Sequence, residues 1–312
     1  MKTKVLFLFA IAFSFIQLTV LAQAVPAQEK IKALSPVPGL SSFKIDYSYS
    51  PFKINDENVN IQQVNTALTL PLYSKLEKGK LDFLVIGFGY SGFFLSNSSS
   101  LAEGNFHSVS VPLTFQKAFS PKYALIISFI PMLASDLKVI SAEDMTYTAA
   151  AMLKIRRSEM FSYSFGAAFS GQFFGTVLLP LVGIDWSPNK KLNFSGTLPV
   201  FAKVKYKLSE NGVVGIGHEY RLIGGAYGLS NKINPAYFQA QQSKVQLFYI
   251  YAFTKNLSIE ANAGYNYIQK LGYYDKNQKV DLIPFRDIDK RTPLALSQKA
   301  SVAIGVGLNY KF

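Results

Sequence analysis

The stretch SVAIGVGLNYKF, Ser301 to Phe312, alternates without a break. Ile304, Val306, Leu308, Tyr310 and Phe312 share one parity. Ser301, Ala303, Gly305, Gly307, Asn309 and Lys311 share the other. A β-strand sends successive side chains to opposite faces, so this segment is a strand with one apolar face and one small or polar face. A barrel wall in lipid needs the same two faces, apolar outward and polar toward the lumen.

The pattern recurs upstream. Phe43, Ile45, Tyr47 and Tyr49 alternate with Lys44, Asp46 and Ser48. Phe161, Tyr163, Phe165, Ala167 and Phe169 share one parity, as do Val245, Leu247, Tyr249, Tyr251 and Phe253. So do Leu257, Ile259, Ala261, Ala263, Tyr265 and Tyr267. About fourteen such segments fit the expected barrel pattern: 41–50, 60–73, 81–92, 106–117, 122–134, 145–155, 160–173, 176–186, 191–199, 200–208, 213–226, 243–253, 257–269 and 298–312. If Pro199-Val200 is a bend within one strand rather than a reversal, about twelve is the alternative count. The expected architecture is all-β: one antiparallel transmembrane β-barrel over residues 41–312.

Short connections hold Ser120-Pro121-Lys122, Arg156 to Glu159, Ser187 to Lys190, and Thr254 to Asn256. Long polar ones run over roughly 96–104, 135–144, 230–243 and 274–296, as barrels with short periplasmic turns and longer outer loops require. At one hairpin, Glu210-Asn211-Gly212 suits a three-residue loop with a G1 bulge. That register sets Lys207 opposite Gly215, Lys205 opposite Gly217, and Lys203 opposite Glu219 as an ion pair.

Composition agrees. The chain holds 26 Phe and 18 Tyr but one Trp, and charged residues are 16%, against about 25% in an average soluble domain. Residues 1–24 read as a secretory signal peptide: Lys2 and Lys4, an apolar run from Val5 to Val20, then Ala22-Gln23-Ala24, with cleavage after Ala22 or Ala24. An uncleaved anchor is the alternative. No later run is apolar over the roughly 18 residues a spanning helix needs. Residues 25–40, with three prolines, are poor strand material and form a periplasmic leader or a plug. The absence of cysteine excludes a lipoprotein anchor, disulfides and thiol chemistry.

The last strand resembles that of bacterial outer-membrane proteins in general, which ends in an aromatic residue. The resemblance implies that Ile304, Val306, Leu308, Tyr310 and Phe312 are an assembly signal read by the barrel assembly machinery. The aromatic-rich strands, with turns such as Trp186-Ser187-Pro188-Asn189-Lys190-Lys191-Leu192, resemble uncharacterised outer-membrane β-barrel families of Bacteroidota. That implies a location in the bacterial outer membrane and no defined substrate.

The net charge is +13. An exported barrel rarely meets nucleic acid, so the expected partners are outer-membrane lipid, lipopolysaccharide and small solutes. Lumen-parity residues include Lys154, Arg156, Lys203, Lys205, Lys207, Arg221, Lys244 and Lys270, against Asp46, Glu219 and Glu260. Such a lumen favours anions, unless the charges pair internally and plug it. The expected function is a passive channel for small hydrophilic solutes, anionic ones among them. A non-conducting structural or loop-presenting barrel and an outer-membrane lipid hydrolase are the alternatives.

No enzyme and no cofactor are expected. The histidines are His107 and His218, and the residues two places on are Val109 and Tyr220, so neither offers a local Ser nucleophile. Two histidines without cysteine are also a poor basis for a transition-metal site. In the 274–296 loop, Asp275, Asp281, Asp287 and Asp289 nearly balance Lys276, Lys279, Arg286, Lys290 and Arg291. Such a loop folds over the mouth, meets a partner, or stays a solvated surface loop.

Overall fold

The computed structural model describes residues 40–54, 57–96, 104–221, 225–230, 236–282 and 289–312. The signal segment 1–24 and all of the 25–40 segment except Leu40 lie outside the described residues, as do Arg286 and Asp287. The strands are β1 Ser42–Ile54, β2 Glu57–Glu77, β3 Lys80–Ser96, β4 Gly104–Ser110, β5 Leu113–Ala118 and β6 Tyr123–Ser135. They continue as β7 Met145–Arg156, β8 Phe161–Gln172, β9 Gly175–Trp186, β10 Leu192–Leu198 and β11 Phe201–Lys207. The last are β12 Gly212–Arg221, β13 Ala226–Gly228, β14 Ala236–Ala252, β15 Leu257–Asp275, β16 Ala295–Gln298 and β17 Ser301–Lys311.

The segment pairs β4/β5, β12/β13 and β16/β17 each form one interrupted stave, so the 17 strands make a 14-strand antiparallel barrel. It closes where β1 pairs with β17, Tyr310 standing opposite Phe43. The Pro199-Val200 reversal is real: β10 and β11 pair from Leu192–Tyr206 to Thr197–Phe201, with a cis Leu198–Pro199 bond in the turn. The twelve-strand count is thereby excluded. The break between β4 and β5 falls at Pro112, which has no N–H to give to the ladder. Gly87 faces it, where a Cβ would come within 2.7 Å of the proline ring.

The face assignment of β17 holds. Val302, Ile304, Val306, Leu308, Tyr310 and Phe312 are exposed on the outer wall, while Ser301 and Ala303 are buried on the lumen side. Ile127, Phe129, Phe165, Val182, Ile216, Val245 and Leu247 continue this apolar outer surface around the barrel. An exposed apolar belt this extensive suits lipid rather than water.

The wall is uneven in height. β2, β14 and β15 have 21, 17 and 19 residues, whereas β10 and β11 have 7 each. At about 3.3 Å per residue β2 runs roughly 70 Å and β10 and β11 roughly 23 Å each. β2 extends past β1 at the hairpin-turn end, Thr69 standing opposite Ser42, whereas β14 and β15 extend past β12 and β17 at the end away from those hairpins. At the hairpin-turn end every connection is tight, as at Lys78-Gly79, where both residues have positive φ as a type I′ turn requires.

Several expectations are corrected. The β11–β12 hairpin is not a three-residue loop: Leu208 and Ser209 N–H both bond the Gly212 carbonyl, and the ladder starts at Lys207 opposite Val213. Lys205 therefore faces Gly215 and Lys203 faces Gly217, while Glu219 stands opposite Phe201. The wider turn slips the register by two, so each side chain keeps its face. The 230–243 connection is shorter than expected because β14 begins at Ala236, and the 274–296 connection lies between Asp275 and Ala295. Lys270 is not on the lumen face. A bulge in β15 skips Tyr267 between Asn266 and Ile268 and inverts the parity beyond it, so Gln269 and Leu271 point inward.

Candidate functional site

The lumen has three levels, each built by different residues at inward positions. At the hairpin-turn end it is cationic. Lys154 and Arg156 from β7 and Lys203, Lys205 and Lys207 from β11 lie on the lumen face and keep solvent contact, Arg156 and Lys207 being exposed. Among the described residues these five form no ion pair. The lumen's ion pairs among the described residues are Lys44–Asp46 at 2.9 Å and Lys244–Glu219 at 3.7 Å. Glu219 thus pairs with its neighbour on β14, opposite it in register, and not with Lys203. Lys203 instead lies over the Phe248 ring at 5.4 Å. Phe248 occupies space left by Gly215, whose Cβ would meet that ring at 2.4 Å.

The middle level is a belt of amides and hydroxyls. Gln63 on β2 donates to Gln242 on β14 (2.9 Å) and accepts from Arg221 on β12 (3.1 Å). Ser50, Asn266, Gln269 and Ser301 form a second group, with Ser50 and Ser301 hydroxyls 2.7 Å apart and Ser301 donating to Gln269 at 2.8 Å. Gln246 extends the belt downward by donating to Glu219 at 3.2 Å. Arg221, which alternation alone groups with the lysines, thus belongs to this belt. Because these side chains are nearly all buried, their mutual hydrogen bonds stand in for water, although Gln246 Oε1 and Gln269 Nε2 have no partner among the described residues.

The third level is apolar and roofed. β13 keeps its antiparallel ladder to β14 and on its other edge meets β6 in parallel, Gly228 opposite Ser135, although β7 to β11 lie between them around the barrel. Asp136 N–H donates to the Gly228 carbonyl at 3.1 Å, and the Ser230 hydroxyl donates to Asp136. The chain therefore crosses the mouth. Beneath it Tyr227 and Phe238 meet Phe93 and Phe106 of the opposite wall, with Phe106 stacked on Phe238 at 4.1 Å and 12°. All four rings are buried.

The connection after β15 straps this roof down. Val280 N–H bonds Phe174 O (2.6 Å), Leu282 N–H bonds Thr176 O (2.7 Å), and the Asp281 carboxylate accepts from Thr176 N–H (2.8 Å). Lys276 pairs with Glu143. Arg291 lies 4.5 Å over the Tyr274 ring, donates to Tyr237 Oη and Gln239 Oε1, and chelates Asp289. Hydrogen bonding from Arg291 holds the Asp289 carboxyl down at about 2. Lys270, displaced to the outer face, reaches Asp289 at 3.5 Å. Of the three roles open to this loop, the described part folds over the mouth. A hollow of about 920 Å³ remains where the roof's Leu229 and Tyr273 meet Leu95 and Phe106 of the wall.

The outer wall carries aromatic side chains at two levels. Near the turns, Tyr251 with Phe253 and Tyr310 with Phe312 pair edge to face, and Lys122 and Arg157 lie over Tyr123 and Tyr163. Higher up, both histidines face outward among aromatics: His107 with Tyr90 and Phe94, and His218 with Tyr267. His218 Nε2 lies 3.0 Å from Ser243 Oγ and 2.8 Å from Tyr267 Oη. The spacing along one strand cannot reveal this meeting, because Ser243 comes from the adjacent strand. Polar groups at such a level satisfy one another where lipid offers no partner.

The chain belongs to the family described as Domain of unknown function (DUF6268), which matches residues 23–311. No curated protein sequence matches it. Among solved structures it is similar to an outer membrane channel from Pseudomonas putida F1, at 10% identity and TM-score 0.43, covering 91% of this chain and 100% of that one. The NanC porin is similar at 8% identity and TM-score 0.37, with coverage of 86% and 100%. The translocator domain of the autotransporter NalP from Neisseria meningitidis is similar at 11% identity and TM-score 0.37, with coverage of 87% and 88%.

Proposed function

We propose that this barrel stands in a bacterial outer membrane, turns toward the periplasm, as a channel for small hydrophilic anions that is shut at its outer mouth in this conformation. The observation that carries the reading is the lower lumen, where Lys154, Arg156, Lys203, Lys205 and Lys207 keep solvent contact and, among the described residues, form no ion pair with a carboxylate. Unpaired cations inside a low-dielectric wall attract anions and repel cations. The test is single-channel recording in planar bilayers under a salt gradient. Anion-selective openings support the reading, and a clear cation preference overturns it.

The roof favours a second reading, a non-conducting barrel that presents its outer surface. Its buried aromatic contacts resemble a domain core more than a mobile loop. Complete silence at all voltages, in a protein whose heat-modifiable gel migration shows a folded barrel, would select it. In either reading the partners are outer-membrane lipid and lipopolysaccharide, and the assembly machinery would read Ile304, Val306, Leu308, Tyr310 and Phe312. Nucleic acid has no role, and we infer kinship with Bacteroidota outer-membrane barrels from the strand and turn style.

A lipid hydrolase fits less well. Ser243 is 2% exposed beneath His218 and Tyr267, and no side chain among the described residues bonds the other His218 nitrogen. A nucleophile needs access and an oriented base. We expect purified protein to leave a lipid extract intact, and hydrolysis abolished by Ser243→Ala would reverse this conclusion.

A further inference from the structure

We propose that the lower lumen is a binding site for multivalent anions, loaded from the hairpin-turn end; this rests on the anionic-solute reading above. Lys203, Lys205 and Lys207 occupy alternate positions of one strand and share the lumen face. Alternate residues of a strand lie about 6.8 Å apart, so the three ammonium groups rise as a ladder from the turn end inward. Lys207 at the mouth is exposed, and Lys203 at the inner end is held over Phe248. No carboxylate forms an ion pair with any of the three among the described residues.

Three like charges at that spacing repel one another. Separate monovalent anions can relieve this only by each giving up its own freedom of motion. One chain of linked anionic groups relieves it with a single loss, because its second and third contacts are intramolecular. The floor of the chamber is the Gln63–Gln242–Arg221 belt, and the roof lies beyond it. Among the described residues the belt and the roof stand between these lysines and the outer mouth, and Lys207 is the first of the three met from the turn end. The chemistry the chamber selects is a short, flexible polyanion such as an oligophosphate or a polycarboxylate.

The test is calorimetric titration of the full chain in detergent at low salt with inorganic phosphate and with tripolyphosphate. Tripolyphosphate is expected to bind about tenfold more tightly or better, an advantage that falls as salt rises. Lys203→Glu/Lys205→Glu should remove that advantage. Lys138→Glu/Lys279→Glu, a like change of charge on exposed loops at the opposite end of the barrel, should leave it within about threefold. Equal affinity for the two anions overturns the proposal, as does an equal loss from both double variants. Should the charge reversal prevent folding, Lys203→Gln/Lys205→Gln, checked by heat-modifiable migration, carries the same expectation. Binding is measured without conduction. A silent barrel that binds tripolyphosphate therefore defeats the channel reading alone, while an anion-selective channel indifferent to valence defeats this proposal alone.

Discussion

The lower and upper lumen are built from the same strands and the same alternation, yet they are opposite in character. Below, inward positions of β7 and β11 carry Lys154, Arg156 and Lys203 to Lys207, and the space stays wet. Above, inward positions of β3, β4 and β14 carry Phe93, Phe106 and Phe238, and the space is dry and packed. Alternation decides only which residues face in. Whether those residues line a chamber or fill a core depends on what comes across to meet them. Below, the inward side chains of β7 and β11 keep solvent contact. Above, β13 reaches past the short β10 and β11 to β6, and with β14 it supplies the other half of a core.

The sharpest way to break this contrast is to lock the roof. The chain has no cysteine, so an Asp136→Cys/Ser230→Cys pair would be its one thiol pair, placed where roof and wall already meet. Bridging the pair with a short bifunctional thiol reagent should abolish channel openings in planar bilayers, and the unbridged variant should retain them. Unchanged current after bridging would show that the roof is not the gate.

Next in size is the dry core itself. Phe106→Ala removes a ring stacked at 4.1 Å and should cost about 3–5 kcal/mol in roof packing, seen as a lower urea midpoint and a larger open fraction. Removing Gln63 as Gln63→Leu strips partners from Gln242 and Arg221 and should cost about 1–3 kcal/mol by the same unfolding measurement. In the wet half, by contrast, Lys203→Ala should change stability by less than about 1 kcal/mol while lowering the anion-to-cation permeability ratio. A large stability loss there would mean that the lower lumen is a core as well.

The smallest effect is at the strap. Asp289, held at about 2 by Arg291, has a depressed folded-state value. Its contribution is present above the ordinary carboxylate value of 3.8 and is lost as pH falls through about 2. Hydrogen exchange at strap amides should therefore be insensitive to this group from neutrality to about pH 4, after correction for intrinsic rates, and rise only in stronger acid. Because Asp289 is partly exposed, solvent screening keeps the change small.

Strand number, faces and most connections were legible because period-two alternation is local. The reversal at Pro199-Val200 could be read from the run of alternation on either side. Lys270 could not be placed, because a bulge at Tyr267 inverts parity and leaves no compositional mark. The β11–β12 hairpin was misread by two positions, since Glu210-Asn211-Gly212 is compatible with more than one turn length. The strand extensions around Phe93, Phe106 and Phe238 were read short because their buried residues, Tyr237 to Gln239 among them, do not alternate in hydropathy. There both faces are covered, one by the opposite wall and one by the strap.

What the sequence determined by itself is the barrel wall, Phe312 and Tyr310 outward with Asn309 and Lys311 inward, because each residue's face follows from its neighbours in a strand. It also determined the charge carried by the lumen. Tertiary structure alone decided that the mouth is roofed, that Glu219 answers Lys244, and that Arg221 joins the Gln63 belt. These are contacts between residues far apart in the chain, set by wall height and strand tilt, and no local pattern encodes them.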